Sequence, residues 1–538
     1  VDCNNYPIGK LPYPALYQDY LAGEKKLTPF FSSEGFSGID FKKAADQFEF
    51  KGNRETTVSL LTSFNKRFDA KPATLQQIEK LKDNDSLVVV TGQQLTVFGG
   101  PLFTIYKTLT AIVYARRLQN ELKRPVIPVF WLADEDHDID EAAELGIPGD
   151  KEFIKASLEV PEDFNFPAGR HIPGDAVTKL IEKMKEQFPD SDFSDQLWST
   201  LEEIYNEKSS IRESFGKWLL KLFSEEGLIL AGSDDNEIKK ALYPQIKNMT
   251  ALHSDIYEAL ESQSSELDRA GYSRQANVQP SGIFYVDEKH GRIKLDVEKD
   301  KWSSDRGHSW STDELIAHFE EYPERFSPNV FLRPIIQDQL IPVIGVVLGP
   351  GETAYFAQMK KMYPLFGMRM PVVIPRFTVT IIETAISRNL ERIPFELHEY
   401  SARIEDLESD YISKTEKQDV EALFNKWKTQ TAEISDEFKK EIEKIDSTLE
   451  NSAGKATALY FTELDKLKGK VYRSLKQQDQ IQLDRIRKVK EALYPDGGLQ
   501  ERQVAFIWFM SRYGMDVWNK MCTLLSKEES DSHKLIRL

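Results

Sequence analysis

The densest group of chemically capable side chains is the run Asp134, Glu135, Asp136, His137, Asp138. It follows the apolar stretch 126–132, which predicts a buried strand. An imidazole between carboxylates can be oriented or made more basic, so His137, flanked by Asp136 and Asp138, is the candidate general base. The same residue types suit Mg, Mn or Zn. Sequential residues cannot all face one ion, however, and no second ligand set is evident, so any metal ligands stay unknown.

A second polar group, Thr91, Gly92, Gln93 and Gln94, follows the apolar run 87–90. Gly92 would let backbone approach a ligand. Gln93 and Gln94 offer amide donors and acceptors, Gln93 as a positioning contact in catalysis. Gly99, Gly100 and Pro101 precede an amphipathic helix starting at Leu102 and carrying Lys107, Arg116 and Arg117. Exposed N–H groups at a helix start suit a phosphate or carboxylate. Gly349, Pro350, Gly351 and Glu352 repeat the arrangement after the run 344–348. Neither loop is a GxGxxG or Walker A pattern, so neither a nicotinamide nor a P-loop assignment follows. Gly99, Gly100, Gly349, Gly351 and Glu352 are the candidate nucleotide contacts. Gly92, Gln94, Arg170, Arg333, Asp338, Tyr355, Gln358 and Arg376 are the candidate substrate contacts. Tyr355 and Gln358 lie one helical turn apart and would face one cleft.

The elements that must position these groups are strands and helices in alternation. Five apolar runs read as core strands: 87–90, 126–132, 227–231, 344–348 and 371–375. That pattern predicts an α/β fold with a Rossmann-like doubly wound parallel sheet. Ligands bind such sheets at the carboxyl ends of the strands, where the polar groups fall. Residues 1–147 read as an N-terminal segment with the first half of this core, 214–253 as its continuation and 326–385 as its second half. Segment 148–213 reads as a first insertion. Segment 254–325 reads as a second, with antiparallel strand turning at Lys289, His290 and Gly291. Asp234 is placed to cap the helix that follows the third strand.

Residues 386–495 differ in kind. No proline lies between Pro394 and Pro495, and apolar residues recur at three- and four-residue spacing, among them Val420, Leu423, Trp427, Ile434, Phe438, Ile442 and Ile445. Two long helices turning near Gly454 into an antiparallel coiled coil are expected, and pairing with a second chain would bury more of the stripe. Segment 496–538 is expected to return to the core as helix.

At 538 residues the chain is long enough for three or four structural units. Its net charge of −17 and the lack of a basic face argue against a nucleic-acid partner. Two cysteines at opposite ends, Cys3 and Cys522, make no disulfide framework and suit a reducing cytoplasm. No apolar run approaches the ~20 residues of a membrane span, and the first residues lack a signal-peptide pattern.

Five segments in order, VTGQQLTVFGGPLFTIYK, RPVIPVFWLADEDHDIDE, PNVFLRPIIQD, GPGETAYFAQM and MPVVIPR, resemble the cysteine-adding enzymes of bacillithiol biosynthesis. The coiled coil and LYPDGGLQER (493–502) extend the likeness over nearly the whole chain. The resemblance implies a core related to class I aminoacyl-tRNA synthetases, with connecting-peptide insertions and a coiled-coil dimerisation domain. It implies a ligase that joins L-cysteine to glucosaminyl malate through an amide bond. ATP is the expected activator of the carboxylate, with Mg as its candidate companion, and a homodimer is expected. The class I signatures themselves are absent: FGGP (98–101) stands at the HIGH position and IPRFTVT where KMSKS would follow. Two other readings stay open. One is a nucleotidyltransferase or ligase of the same fold acting on another small acid, and the other a non-catalytic coiled-coil scaffold.

Overall fold

The computed structural model describes residues 2–149, 153–162, 164–415 and 420–538. Parts of the first insertion (150–152, 163) and of the helical segment (416–419) thus lie outside the described residues. Two compact units form. One joins residues 3–380 with 501–536, and the other holds residues 381–500 with the extreme ends of the chain.

The first unit is built on five strands: β1 (Leu87–Gln94), β2 (Val126–Ala133), β3 (Ile229–Gly232), β4 (Val343–Leu348) and β5 (Val372–Pro375). They form one sheet in the order β3-β2-β1-β4-β5, with every neighbouring pair parallel. This is the doubly wound order, and the direction of winding reverses between β1 and β4. Apolar, β-branched residues covered on both faces explain why the strands read as continuous hydrophobic runs.

The first strand does not stop before TGQQ. It runs on through Gln94, because β2 continues alongside it, pairing Gly92 with Trp131 and Gln94 with Ala133. A Cβ at Gly92 would stand 2.9 Å from the Trp131 carbonyl, so only glycine allows the strands this register.

Helix α1 (Leu102–Leu122) follows β1 and is buried on nearly all sides. Of its cationic side chains Lys107 is buried, while Arg116 near its end is exposed. Helix α2 (Ile211–Phe223) starts at Ser210, whose side chain accepts the Glu213 N–H at 3.2 Å. Helix α3 (Asn236–Ala241) is capped by Asp235, not Asp234. Helices α4 (Arg333–Leu340) and α5 (Pro350–Phe356) flank β4. The strand Phe153–Ser157 of the first insertion pairs antiparallel with Glu144–Pro148 just before it, and the insertion also holds the helices Asp175–Gln187 and Ser194–Ile204. The second holds the hairpin Ile283–Asp287 and Gly291–Lys294, to which Phe326–Pro328, just after the insertion, adds a third strand.

In the second unit, helices α6 (Val420–Ile445) and α7 (Glu450–Gln478) pack side by side, with ion pairs Lys428–Asp465 and Lys468–Glu421 between them. The reversal lies at Ser447–Leu449 and not at Gly454, which is inside α7. Asp446 takes the backbone N–H of Thr448 at 2.8 Å and its hydroxyl at 2.7 Å. Such a side chain offers the backbone an alternative to the helix and ends it. A single glycine inside a long helix costs only about 1 kcal/mol and does not break it.

Candidate active site

A cleft of about 670 Å³ opens at the carboxyl edge of the sheet, over the switch between β1 and β4. Gly92, Gln93 and Gln94 enter it from β1, Glu135 and Asp136 from beyond β2, and Gly349, Gly351 and Glu352 from beyond β4. Arg333, Tyr355 and Arg376 complete the sequence-derived set along its walls.

The link across the switch point is Lys107. Its ammonium donates to the Gly92 carbonyl and to Gln93 Oε1, both at 2.8 Å, and pairs with Glu352 at 2.5 Å. Glu352 also accepts the Gly349 N–H at 2.9 Å. The side chain is buried, and burial pulls its pKa below the usual lysine value against the pull of Glu352. With Gln93 Oε1 committed to Lys107, the NH₂ of that amide is the end left for a ligand.

The acidic run divides its labour. Asp136 Oδ2 accepts Gln94 Nε2 at 2.7 Å, and Oδ1 accepts the His137 N–H at 2.8 Å. Burial pushes this carboxyl up, but the His137 ring 3.5 Å away, Gln94 and Arg292 hold it well below the usual carboxylate range. Glu135 pairs with Lys239 at 2.7 Å and accepts from Ser233. Asp138 caps the short helix Ile139–Ala143 through the Glu141 N–H. Asp134 lies wholly buried behind the site, where burial and neighbouring carboxylates raise its pKa.

His137 sits at the edge. It lines a neighbouring recess with Asp138 and Phe164, and among the described residues only Asp136 borders both spaces. Arg292 Nη1 lies 3.1 Å from His137 Nδ1. A guanidinium can only donate, so Nδ1 is the acceptor and the ring proton sits on Nε2. That occupies the lone pair a base would use there.

Several expected residues lie elsewhere. Arg170 is bound to Asp234, Nε to Oδ2 at 2.7 Å, which is why Asp234 is not a helix cap. Gly99 and Gly100 face the chain itself. The Gly100 carbonyl accepts the Phe506 N–H at 3.1 Å, and a side chain at Gly99 would collide with the Phe506 ring. They seat the segment after Glu501, not the cleft. Gln358 is buried behind the cleft wall, its Oε1 taking the N–H groups of Gln275 and Ala276 at 3.1 Å each. Arg376 touches the cleft but is held by Glu501 through contacts of 2.8 and 2.6 Å.

Asp338 faces away, toward Gln337 and Tyr363. Asp338 is half-buried and lines a separate cavity beside Tyr363, and desolvation there pushes its carboxyl up to about 7. An unfolded Asp titrates near 3.8, so between these values the folded protein holds the extra proton and loses stability as pH rises. Asp338→Asn should therefore stabilise the protein at pH 8 by up to about 4 kcal/mol, and by less at pH 5. Urea unfolding midpoints at the two pH values check this. A difference that does not grow with pH would refute the raised titration of this carboxyl.

Sequence reasoning passed over Lys107, Glu141, Arg292 and Arg502, all of which line the cleft. Among the described residues, no group of three or more His, Cys, Asp or Glu side chains is arranged to hold a metal.

The family model for "Bacillithiol biosynthesis BshC, N-terminal Rossmann-like domain" matches residues 2–377. The model for the "C-terminal coiled-coil domain" of the same family matches residues 379–538. The chain belongs to the BshC family of bacillithiol biosynthesis. Members named "Putative cysteine ligase BshC" match along their full lengths. The one from Salinibacter ruber is 30% identical over 97% of this chain and 96% of its own. That from Chlorobaculum tepidum is 29% identical over 100% and 99%, and that from Bacillus cytotoxicus 28% over 98% and 99%. No helix among the described residues is long and apolar enough to cross a membrane.

Proposed function

We propose that the cleft joins the carboxyl of L-cysteine to the sugar amine of glucosaminyl malate. The observation that carries this reading is the cleft's polarity. Arg333 and Arg502 have no ion-pair partner among the described residues, and they share the cleft with the carboxylates Glu135, Asp136 and Glu141. A substrate with two carboxylates and an amine presents the matching charges. Arginines hold carboxylates in a planar fork, and the acids attract an ammonium group. Of the arginines expected to bind malate, Arg170 and Arg376 are already engaged by Asp234 and Glu501, so Arg333 and Arg502 take that role. The relatives' name supplies the cysteine.

Amide formation from a free carboxylate needs an activator. Gly349 and Gly351 line the cleft, and at Gly351 no atom beyond its own helix turn lies within 4 Å of where a side chain would begin, so a nucleotide's phosphates fit against this backbone. When bound, ATP would turn cysteine's carboxyl into one an amine can displace. Lys107 keeps the two flanking loops in register, and Gln93 offers its NH₂ to the acyl oxygen. The test is thiol product formed from cysteine, glucosaminyl malate and ATP. No turnover with any nucleotide would overturn the reading.

The protein acts as a cytoplasmic homodimer. Cys3 and Cys522 form no disulfide with one another, which suits a reducing compartment. Leu423, Trp427, Ile434, Phe438 and Ile445 are each at least 44% exposed on α6, a stripe that a second helix pair would cover. Light scattering at micromolar concentration should give twice the chain mass, and Trp427→Glu with Phe438→Glu should halve it. A monomeric parent protein would refute the dimer.

A further inference from the structure

We propose that Glu141 is the general base that takes the proton from the attacking amine, an inference that rests on the amide-forming reading above. A base must line the cleft and keep a lone pair free. The acidic run offers several groups, and the structure commits nearly all of them. Glu135 is engaged by Lys239 and Ser233. Both oxygens of Asp136 accept hydrogen bonds. Asp138 caps a helix and borders the neighbouring recess. The Nδ1 lone pair of His137 points at Arg292. On the opposite wall, Glu352 is tied to Lys107 and the Gly349 N–H.

Glu141 is different. It lines the cleft on the short helix Ile139–Ala143, whose start is fixed by Asp138. No cation lies within ion-pair distance of it among the described residues. The groups facing it are Asp136 and Asp138 from its own segment, Gln94 from β1 and Arg502 from the segment after Glu501. Glu141 is exposed to the cleft, yet partial desolvation against the cleft wall, then the two aspartates, push its carboxyl up, while Gln94 and Arg502 draw it back. The result is a more basic carboxylate beside one held far more acidic at Asp136. Such a divergence between neighbouring acids marks a division of catalytic roles.

In the step itself, the amine lone pair forms the new bond to the acyl carbon of the activated cysteine. The bond from that carbon to its phosphate-class leaving group breaks, and the leaving group departs with the electron pair. One N–H proton passes to the Glu141 carboxylate, which returns it to solvent after product release.

The test compares Glu141→Gln with Glu141→Asp on two nucleophiles, glucosaminyl malate and hydroxylamine, in the presence of cysteine and ATP. Hydroxylamine is a weakly basic amine, already neutral at the assay pH, and needs no base. With the sugar amine, Glu141→Gln should lower kcat ~10²–10⁴-fold without raising the KM for cysteine. Glu141→Asp should recover part of that loss. Cysteine hydroxamate should still form in Glu141→Gln. Near-normal turnover of the sugar amine by Glu141→Gln would overturn the proposal. Equal loss of both reactions would also overturn it, because the residue would then serve folding or cysteine binding. A parent protein inactive on both nucleophiles would instead defeat the amide-forming reading, and this inference with it.

Discussion

Glu501→Ala should destabilise the α/β unit by about 3–5 kcal/mol, the cost of stranding a buried charge. Arg376 and Glu501 are 2% and 0% exposed and meet in a two-pronged contact. Glu501 also accepts from the Tyr13 hydroxyl at 3.1 Å and from the Val379 N–H at 3.2 Å. Burial pushes this carboxyl up, but Arg376 outweighs it and keeps it ionised. Truncation leaves the guanidinium with no counter-charge and two donors with no acceptor. The double variant Arg376→Met with Glu501→Gln should recover much of the loss, because the charge has gone and an amide oxygen can still serve a donor. Urea unfolding of the three proteins checks this. A single variant within 1 kcal/mol of the parent would show that the pair carries little of the fold.

Lys107→Met should cut kcat/KM for thiol formation by ~10²-fold or more, the scale expected when catalytic groups shift by about an ångström. The methionine fills most of the space but makes none of the three contacts at the ends of β1 and β4. Gln93 would lose the partner that sets its amide, and Glu352 would stand unpaired. Adding Glu352→Gln should restore thermal stability, since no charge is left alone, without restoring turnover. Lys107→Arg should not substitute, because a planar fork cannot reach three acceptors spread around one nitrogen. If the single variant turns over within threefold of the parent protein, the link across the switch point is not what holds the site.

Much of this architecture could be read from the chain because its physics is local. Buried parallel strands need apolar residues on both faces, and all five runs proved to be strands of one sheet. The polar groups at their ends had to fall on the carboxyl edge once the strands were parallel. What could not be read depends on partners far away in sequence. Gly99 and Gly100 look like a ligand cradle, yet they receive Phe506, some 400 residues on. His137 looks like a free base until Arg292 is placed 3.1 Å from its ring. Lys107 has no special spacing on its helix, and only the packed sheet reveals that its charge is buried. Glu141 was passed over because a carboxylate three residues past a denser cluster has no special spacing. The reversal of the helical hairpin was misplaced because Gly454 is a conspicuous residue, while the Asp446 side chain that ends α6 is an ordinary one.

The pairing of Arg376 with Glu501 also sets a clock on biosynthesis. The two residues are 125 apart, and everything between them must be made before they meet. At about 5–20 residues per second, the gap lasts roughly 6–25 s on the ribosome. For that interval all five strands of the sheet are already synthesised, while the segment that neutralises its buried arginine and fills the space over Gly99 does not yet exist. The nascent α/β unit therefore waits with an open flank, and a chain released early keeps it open. Holdase chaperones should engage ribosome-bound chains ending before Glu501 more persistently than chains extended past Phe506.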